Sequence, residues 1–249
     1  MARLPRLTCA GQAHHLLQHG IDHQPIFRDD ADRLQFLRWL QEAARQFQIS
    51  IHAYVLMPDH LHLLATPVDQ TGLGRMMQWL GRHYVPYFNR KYLRAGTLFQ
   101  GRFKTSVLEA EPYLVSCMHY IESNPIRSGL VASIEAFRWS SYPHHAGIAS
   151  DAVVTDHPKY WSLGNTPFQR EATYRAQLEQ PLSTKATEQL TDAVLKGRIL
   201  GTTAYQAELR RLLGRPSNSN RRGRPARKPV ADAAQAKNDL GSTNKSLGN

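Results

Sequence analysis

Two strand-like runs facing each other across a two-residue turn constrain this chain more than any other feature. Residues 50–57, SIHAYVLM, are rich in β-branched and apolar side chains and read as a strand. Pro58-Asp59 reads as a tight turn, and residues 60–66, HLHLLAT, as the returning strand of a hairpin. The neighbouring segments alternate with it. Residues 14–28 begin strand-like and break at Gly20. Residues 29–47 have helical spacing, with Asp30 or Asp32 as cap and Leu34, Leu37, Leu40 and Ala44 as the expected buried stripe. A second helix is expected from about 74 to 91, with Met76, Leu80, Tyr84 and Phe88 inward and Pro86 kinking it. Residues 97–108 read as a strand with a glycine break, and a third helix opens around Glu109, Glu111 and Pro112 and ends at Asn124-Pro125. The resulting order, β-α-β-β-α-β-α, argues an α+β domain with a largely antiparallel sheet.

Beyond about residue 145 the pattern changes. Three short helical stretches are expected between 168 and 214, as a helical C-terminal extension spanning 146–214. Residues 215–249, poor in apolar side chains and rich in Pro, Gly, Ser, Asn and Arg, read as a disordered basic tail.

Charge narrows the class of partner. Lys and Arg number 31 against 20 Asp and Glu, a formal +11. Such an excess favours a polyanion through phosphate contacts and counterion release. No apolar run approaches the roughly 18 residues of a membrane span, and no apolar block follows the basic N-terminal residues as in a secretory signal. Cys9 and Cys117 form no CxxC pair, so neither a disulfide framework nor a thiolate zinc site is expected. These features fit a cytoplasmic, nucleoid-associated protein with no membrane partner.

Within the hairpin, His60 and His62 stand two apart and share one face of the strand, with Leu61 and Leu63 on the other. Two neutral imidazoles so placed are able to share a divalent metal; equally, they suit a pair of strand histidines bonded to neighbours. The adjacent pairs His14-His15 and His144-His145 would point to opposite faces of a strand and are weaker ligand candidates. On the third helix Leu114, Cys117, Met118 and Ile121 make the buried stripe. Tyr113, Tyr120 and Asn124 lie on a neighbouring line, which would leave Tyr120 half-shielded with its hydroxyl free. Asn124 follows one turn later, although Pro125 disfavours a helical conformation there. Its amide oxygen is a competent third metal ligand, and the basic Arg127 lies close by.

Residues 75–104 interleave Arg75, Arg82, Arg90, Lys91, Arg94, Arg102 and Lys104 with Trp79, Tyr87, Tyr92, Phe99 and Phe103. Cations that track phosphates and aromatics that stack on unpaired bases fit single-stranded nucleic acid. In the tail, Arg221 to Lys228 reads RRGRPARK, and Gly-Arg-Pro, with Arg224 at its centre and Arg222 among its basic flanks, is similar to an AT-hook; equally, it suits a basic tail with only non-specific attraction.

Taken in order, several segments resemble the REP-associated tyrosine transposases, within the single-tyrosine HUH transposases of bacteria (HUH for His, bulky hydrophobic, His). They are RLPRLTCAGQAHHLLQHG, HAYVLMPDHLHLLATP, GRHYVPYFNRKYLRAGTLFQGRFK, YLVSCMHYIESNPIRSGLV and WSSY at 139–142. The resemblance is strong over residues 3–145. It implies an HUH nuclease domain at 1–145 with a ferredoxin-like, RRM-like sheet. It also implies Tyr120 as nucleophile, with His60, His62 and Asn124 holding magnesium or manganese. The implied activity is cleavage and rejoining of single-stranded, hairpin-bearing DNA through a 5′-phosphotyrosine, by a monomer or homodimer and without a nucleotide cofactor. Asp59 stands where the family usually has Asn, His119 where it has Arg, and Ile-Asp after Gly20 where Asn-Asn is common. Competing expectations are a non-cutting DNA-binding factor of the same fold and a metal-dependent hydrolase using water.

Overall fold

A computed structural model describes residues 6–214. β1 (Ala13–His19) leads through a turn to α1 (Asp30–Gln46). The hairpin follows as β2 (Ile49–Leu56) and β3 (His60–Pro67), then α2 (Gly72–Lys91), β4 (Lys104–Leu108) and α3 (Ala110–Glu122). The expected β-α-β-β-α-β-α order is therefore present. Short helices α4 (Asn124–Arg127), α5 (Tyr142–His145) and α6 (Pro158–Trp161) come next. The longer α7 (Pro167–Leu178) and α8 (Thr184–Lys196), a two-residue β5 (Ile199–Leu200) and α9 (Thr203–Leu212) complete the described chain.

The sheet runs β2-β3-β1-β4-β5, antiparallel throughout except for the β4–β5 pair. Each face carries its own layer, as strand alternation requires. On one side Leu16, Leu61, Leu63 and Ala65 pack against Phe36 and Leu40 of α1 and Met76, Leu80, Tyr84 and Phe88 of α2. On the other Ala13, Val55 and Leu64 pack against Leu114, Cys117, Met118 and Ile121 of α3, together with Leu190 and Ala193 of α8. The stripes expected on α2 and α3 are both buried.

Three local expectations change. In α1 the inward residues are Phe36, Leu40, Ala43 and Ala44, whereas Leu34 is 48% exposed and Leu37 only partly buried. Phe36 nests against Phe27 and Tyr84, ring centroids 5.3 and 5.1 Å away, and this aromatic contact sets the rotation of the helix. Its cap is Asp29, not Asp30 or Asp32. The Asp29 carboxylate accepts from Asp32 N–H, and the Asp32 carboxylate accepts from Asp29 N–H in return, which closes a capping box. Residues 97–103 are not a strand; only Phe99 bridges to Gly20 before β4 begins at Lys104. α2 runs as one helix through Pro86.

Candidate active site

Strand alternation and antiparallel register bring the site together. On β3, His60 and His62 point to the α3 side of the sheet while Leu61 and Leu63 enter the opposite core. β1 lies alongside, with His19 directly opposite His60 and Leu17 opposite His62. Lys104 of β4 stands opposite Leu17 on the far side of β1. These side chains and α3, α4 and α8 enclose a cavity of about 540 Å³ onto which Tyr120, Asn124, Arg127 and Thr191 also open.

The two imidazoles of the His-x-His pair have ring centroids 5.3 Å apart. Each has its Nδ1 engaged from behind. His60 Nδ1 donates to the Asp59 carboxylate at 2.7 Å. His62 Nδ1 meets His15 Nε2 at 2.8 Å, with the two rings stacked 5.0 Å apart. Each ligand candidate therefore has only Nε2 left for the cavity. Burial holds His62 well below the usual histidine pKa, and the neighbouring His15, His60 and Arg127 push it the same way. His19 is pushed down to about 4, first by burial and then by His60. These rings are neutral at physiological pH, the form that donates a lone pair to a metal. Asn124, 7% exposed, faces the same cavity. Among the described residues no third His, Cys, Asp or Glu joins the pair in a metal-holding group. The donor set to hand is thus two imidazoles and an amide oxygen. It leaves room for water or phosphate oxygens and fits a small divalent cation.

Tyr120 is more enclosed than its helical position suggested. Its side chain is 6% exposed, with ring centroids 5.8 Å from His62 and 5.5 Å from His15. Arg127 lies across the other side, its guanidinium 4.0 Å from the ring centroid and donating to the Tyr120 carbonyl and to Ser123 Oγ. The hydroxyl, expected to be free, contacts Thr191 Oγ1 at 3.0 Å. Thr191 spends its own hydrogen on the Thr187 carbonyl, so Tyr120 is the donor in that contact. The segment that supplies Thr191 is α8, in the extension beyond the α+β pattern.

The sequence-derived basic residues are dispersed. Arg127 and Lys104 are at the cavity. Arg75, Arg82, Arg90 and Lys91 ride on α2, which packs on the opposite face of the sheet. Lys91 bonds Asp29 at 2.7 Å and Asp32 at 2.8 Å, and Arg75 pairs with Asp69 at 2.5 Å. Arg94 donates to Asn89 and to the Thr97 carbonyl. Arg82, Arg90 and Arg102 are exposed. Of the aromatics proposed to stack on bases, Phe103 is 6% exposed beneath the Arg6 guanidinium, and Tyr92 donates to Asp32. Arg222 and Arg224, with the AT-hook-like segment, lie outside the described residues.

Two participants, His19 and Thr191, escaped the sequence, and His15 stood there only as a weaker ligand candidate. His15 and His19 share a face of β1 with the alternation of a strand, a visible signal, but only the β1–β3 pairing turns that face toward the His-x-His pair. For Thr191 no sequence signal exists, because the contact spans 71 residues.

Residues 11–124 match the family model described as transposase, IS200-like. A search of curated proteins finds no match. Among solved structures, a REP-associated tyrosine transposase bound to a REP hairpin aligns at 16% identity and a TM-score of 0.45, covering 63% of this chain and 92% of that one. A putative transposase from Deinococcus radiodurans R1 aligns at 17% identity and a TM-score of 0.34, covering 54% of this chain and 97% of that one. No helix among the described residues is long and apolar enough to cross a membrane.

Proposed function

Because residues 11–124 match the family model described as transposase, IS200-like, we propose that the chain cleaves and rejoins single-stranded DNA, with Tyr120 as nucleophile beside a divalent cation held by His60, His62 and Asn124. The observation that carries the proposal is the convergence of one tyrosine hydroxyl, two lone-pair-ready imidazoles and an amide on a single cavity. A bound Mg²⁺ or Mn²⁺ would supply Lewis-acid polarisation of the scissile phosphate.

The chain's own residues do the rest. Tyr120 sits on a helix pinned to the sheet, so its oxygen is presented in one direction with little entropy left to lose. Its proton is directed at Thr191 Oγ1 in the resting arrangement and must leave as the oxygen bonds to phosphorus. In that displacement the phosphorus–O3′ bond breaks, giving a 5′-phosphotyrosine and a free 3′-hydroxyl. Attack by another 3′-hydroxyl reverses the step and releases Tyr120, so no external energy source is needed. Lys104 and Arg127 place positive charge at the cavity rim, where the phosphate backbone would pass. The enclosure of Tyr120 favours a strand able to bend into the cavity over a stacked duplex. The hairpin-bearing form of the substrate follows from the resemblance of the ordered motifs.

The test is covalent capture. A labelled single strand carrying a hairpin, incubated with wild-type protein and Mn²⁺, should give a denaturation-resistant protein–DNA adduct and a free 3′ end. Tyr120→Phe should bind the strand and yield neither. An adduct formed by the Phe variant would reject Tyr120 as nucleophile. Cleavage without any adduct in wild type would favour water as nucleophile, and binding without cleavage would favour a non-cutting factor. Equal cutting of a blunt duplex would reject the single-strand preference.

A further inference from the structure

The partner behind His62 is an unusual choice if it serves packing alone. His15 is fully buried, between β3 and the Tyr120 ring. Its Nε2 bonds His62, and its Nδ1 has no partner among the described residues. An unpaired buried nitrogen destabilises the fold, a cost that an apolar residue of similar size would not carry. A purely structural reading therefore leaves the retained imidazole without a benefit. The hydrogen bond to His62 is what the imidazole adds.

That bond bears on which nitrogen of His62 is available. A neutral imidazole has one N–H and one lone pair, and a ring that ligates through Nε2 must keep its proton at Nδ1. His15 Nε2 is the acceptor placed at that Nδ1, 2.8 Å away. His60 has the same arrangement with a different partner, since the Asp59 carboxylate accepts its Nδ1 proton at 2.7 Å. One ligand is thus backed by a carboxylate and the other by a neutral ring. Pairs of this kind fix the ring orientation and the tautomer of metal-binding histidines.

We propose that His15 is a positioning residue, which accepts the Nδ1 proton of His62 and so presents the His62 Nε2 lone pair to the cation. The inference rests on the metal reading above. His15 itself contributes no ligand; it acts through His62.

Mn²⁺ binding to the full chain, followed by electron paramagnetic resonance without DNA, tests it. His15→Phe keeps a ring in place but removes the acceptor, and should weaken Mn²⁺ affinity by about 10- to 100-fold. His15→Gln restores an acceptor oxygen at nearly the same reach and should recover most of the loss. Metal-free binding of a single-stranded oligonucleotide should be unchanged in both. Equal Mn²⁺ affinity of His15→Phe and wild type overturns the proposal, as does a Gln variant as weak as the Phe variant. If wild type binds no Mn²⁺, the metal reading itself falls and the proposal with it. A measurement on wild type alone removes dependence on how the variants fold. Histidine ¹⁵N shifts in the presence of Mg²⁺ should place the His62 proton on Nδ1, and a proton on Nε2 overturns the assignment.

Discussion

The two faces of the sheet are built from the same strands and do different things. Toward α1 and α2 the strands send Leu16, Leu61, Leu63 and Ala65 into a layer closed by Phe27, Phe36, Tyr84 and Phe88. The buried Tyr84 hydroxyl there donates to the Ile26 carbonyl. Toward α3 and α8 the same strands send His15, His19, His60 and His62, and the layer opens into a cavity. Adjacent residues on β1 show the contrast at its sharpest. His14 turns away from the site, where its ring bonds Cys9 N–H and the Gln12 carbonyl. His15 points the other way and bonds His62, with one nitrogen unpaired among the described residues. One face is filled by apolar and aromatic side chains; the other gathers polar side chains around and behind a cavity. Stability and chemistry are thereby separated by the thickness of one strand.

If that separation holds, mutations on the two faces should fail in different ways. The largest effect belongs to the histidine face. His62→Ala should reduce cleavage per folded molecule by on the order of 10³-fold, because it removes both a ligand and the acceptor-backed ring. Excess chelator should do the same to wild type. Retained cleavage in either experiment would mean that the histidines are structural on both faces. On the opposite face, Phe36→Ala should cost about 3–5 kcal/mol of stability, since its ring is 1% exposed and packed between Phe27 and Tyr84. Cleavage per folded molecule should stay at the wild-type level below the melting transition. Denaturant melts and active-site titration would separate the two quantities, and a fall in cleavage per folded molecule would show that the faces are coupled.

A smaller effect should appear on acidification. Burial pushes His14 and His52 down to about 4, from an ordinary 6.5 in the unfolded chain. The unfolded chain therefore takes up protons that the folded chain refuses. The stability these rings contribute is complete above pH 6.5, falls as the pH drops, and is lost by about pH 4. The expected loss is on the order of 3 kcal/mol for each ring, measured by urea unfolding across that window. A flat stability profile from pH 6.5 to 4 would show that these rings protonate freely in the folded state.

What was legible beforehand was periodic. Alternation in HLHLLAT assigned His60 and His62 to one face and Leu61 and Leu63 to the other, and the structure agrees because strand geometry is local. The 3.6-residue spacing of Leu114, Cys117, Met118 and Ile121 oriented α3 and put Tyr120 beside the core. In α1 the same kind of reading favoured Leu34 and Leu37 over Phe36, because spacing alone does not reveal which aromatic the neighbouring helix receives.

Tertiary structure decided the rest, for a common physical reason: the decisive contacts join residues far apart in the chain. The His15–His62 bond spans 47 positions and depends on β1 lying between β3 and β4. Lys91 read as a phosphate ligand until α1 brought Asp29 and Asp32 to its ammonium. Tyr120 read as having a free hydroxyl until α8, 71 residues on, brought Thr191 to it. The sequence by itself determined the element order, the faces of the strands and the residue types at the site. Which histidine stands behind which, which cation is already paired and what holds the tyrosine hydroxyl were set by strand order and helix packing, and such non-local contacts leave no period in the sequence to read.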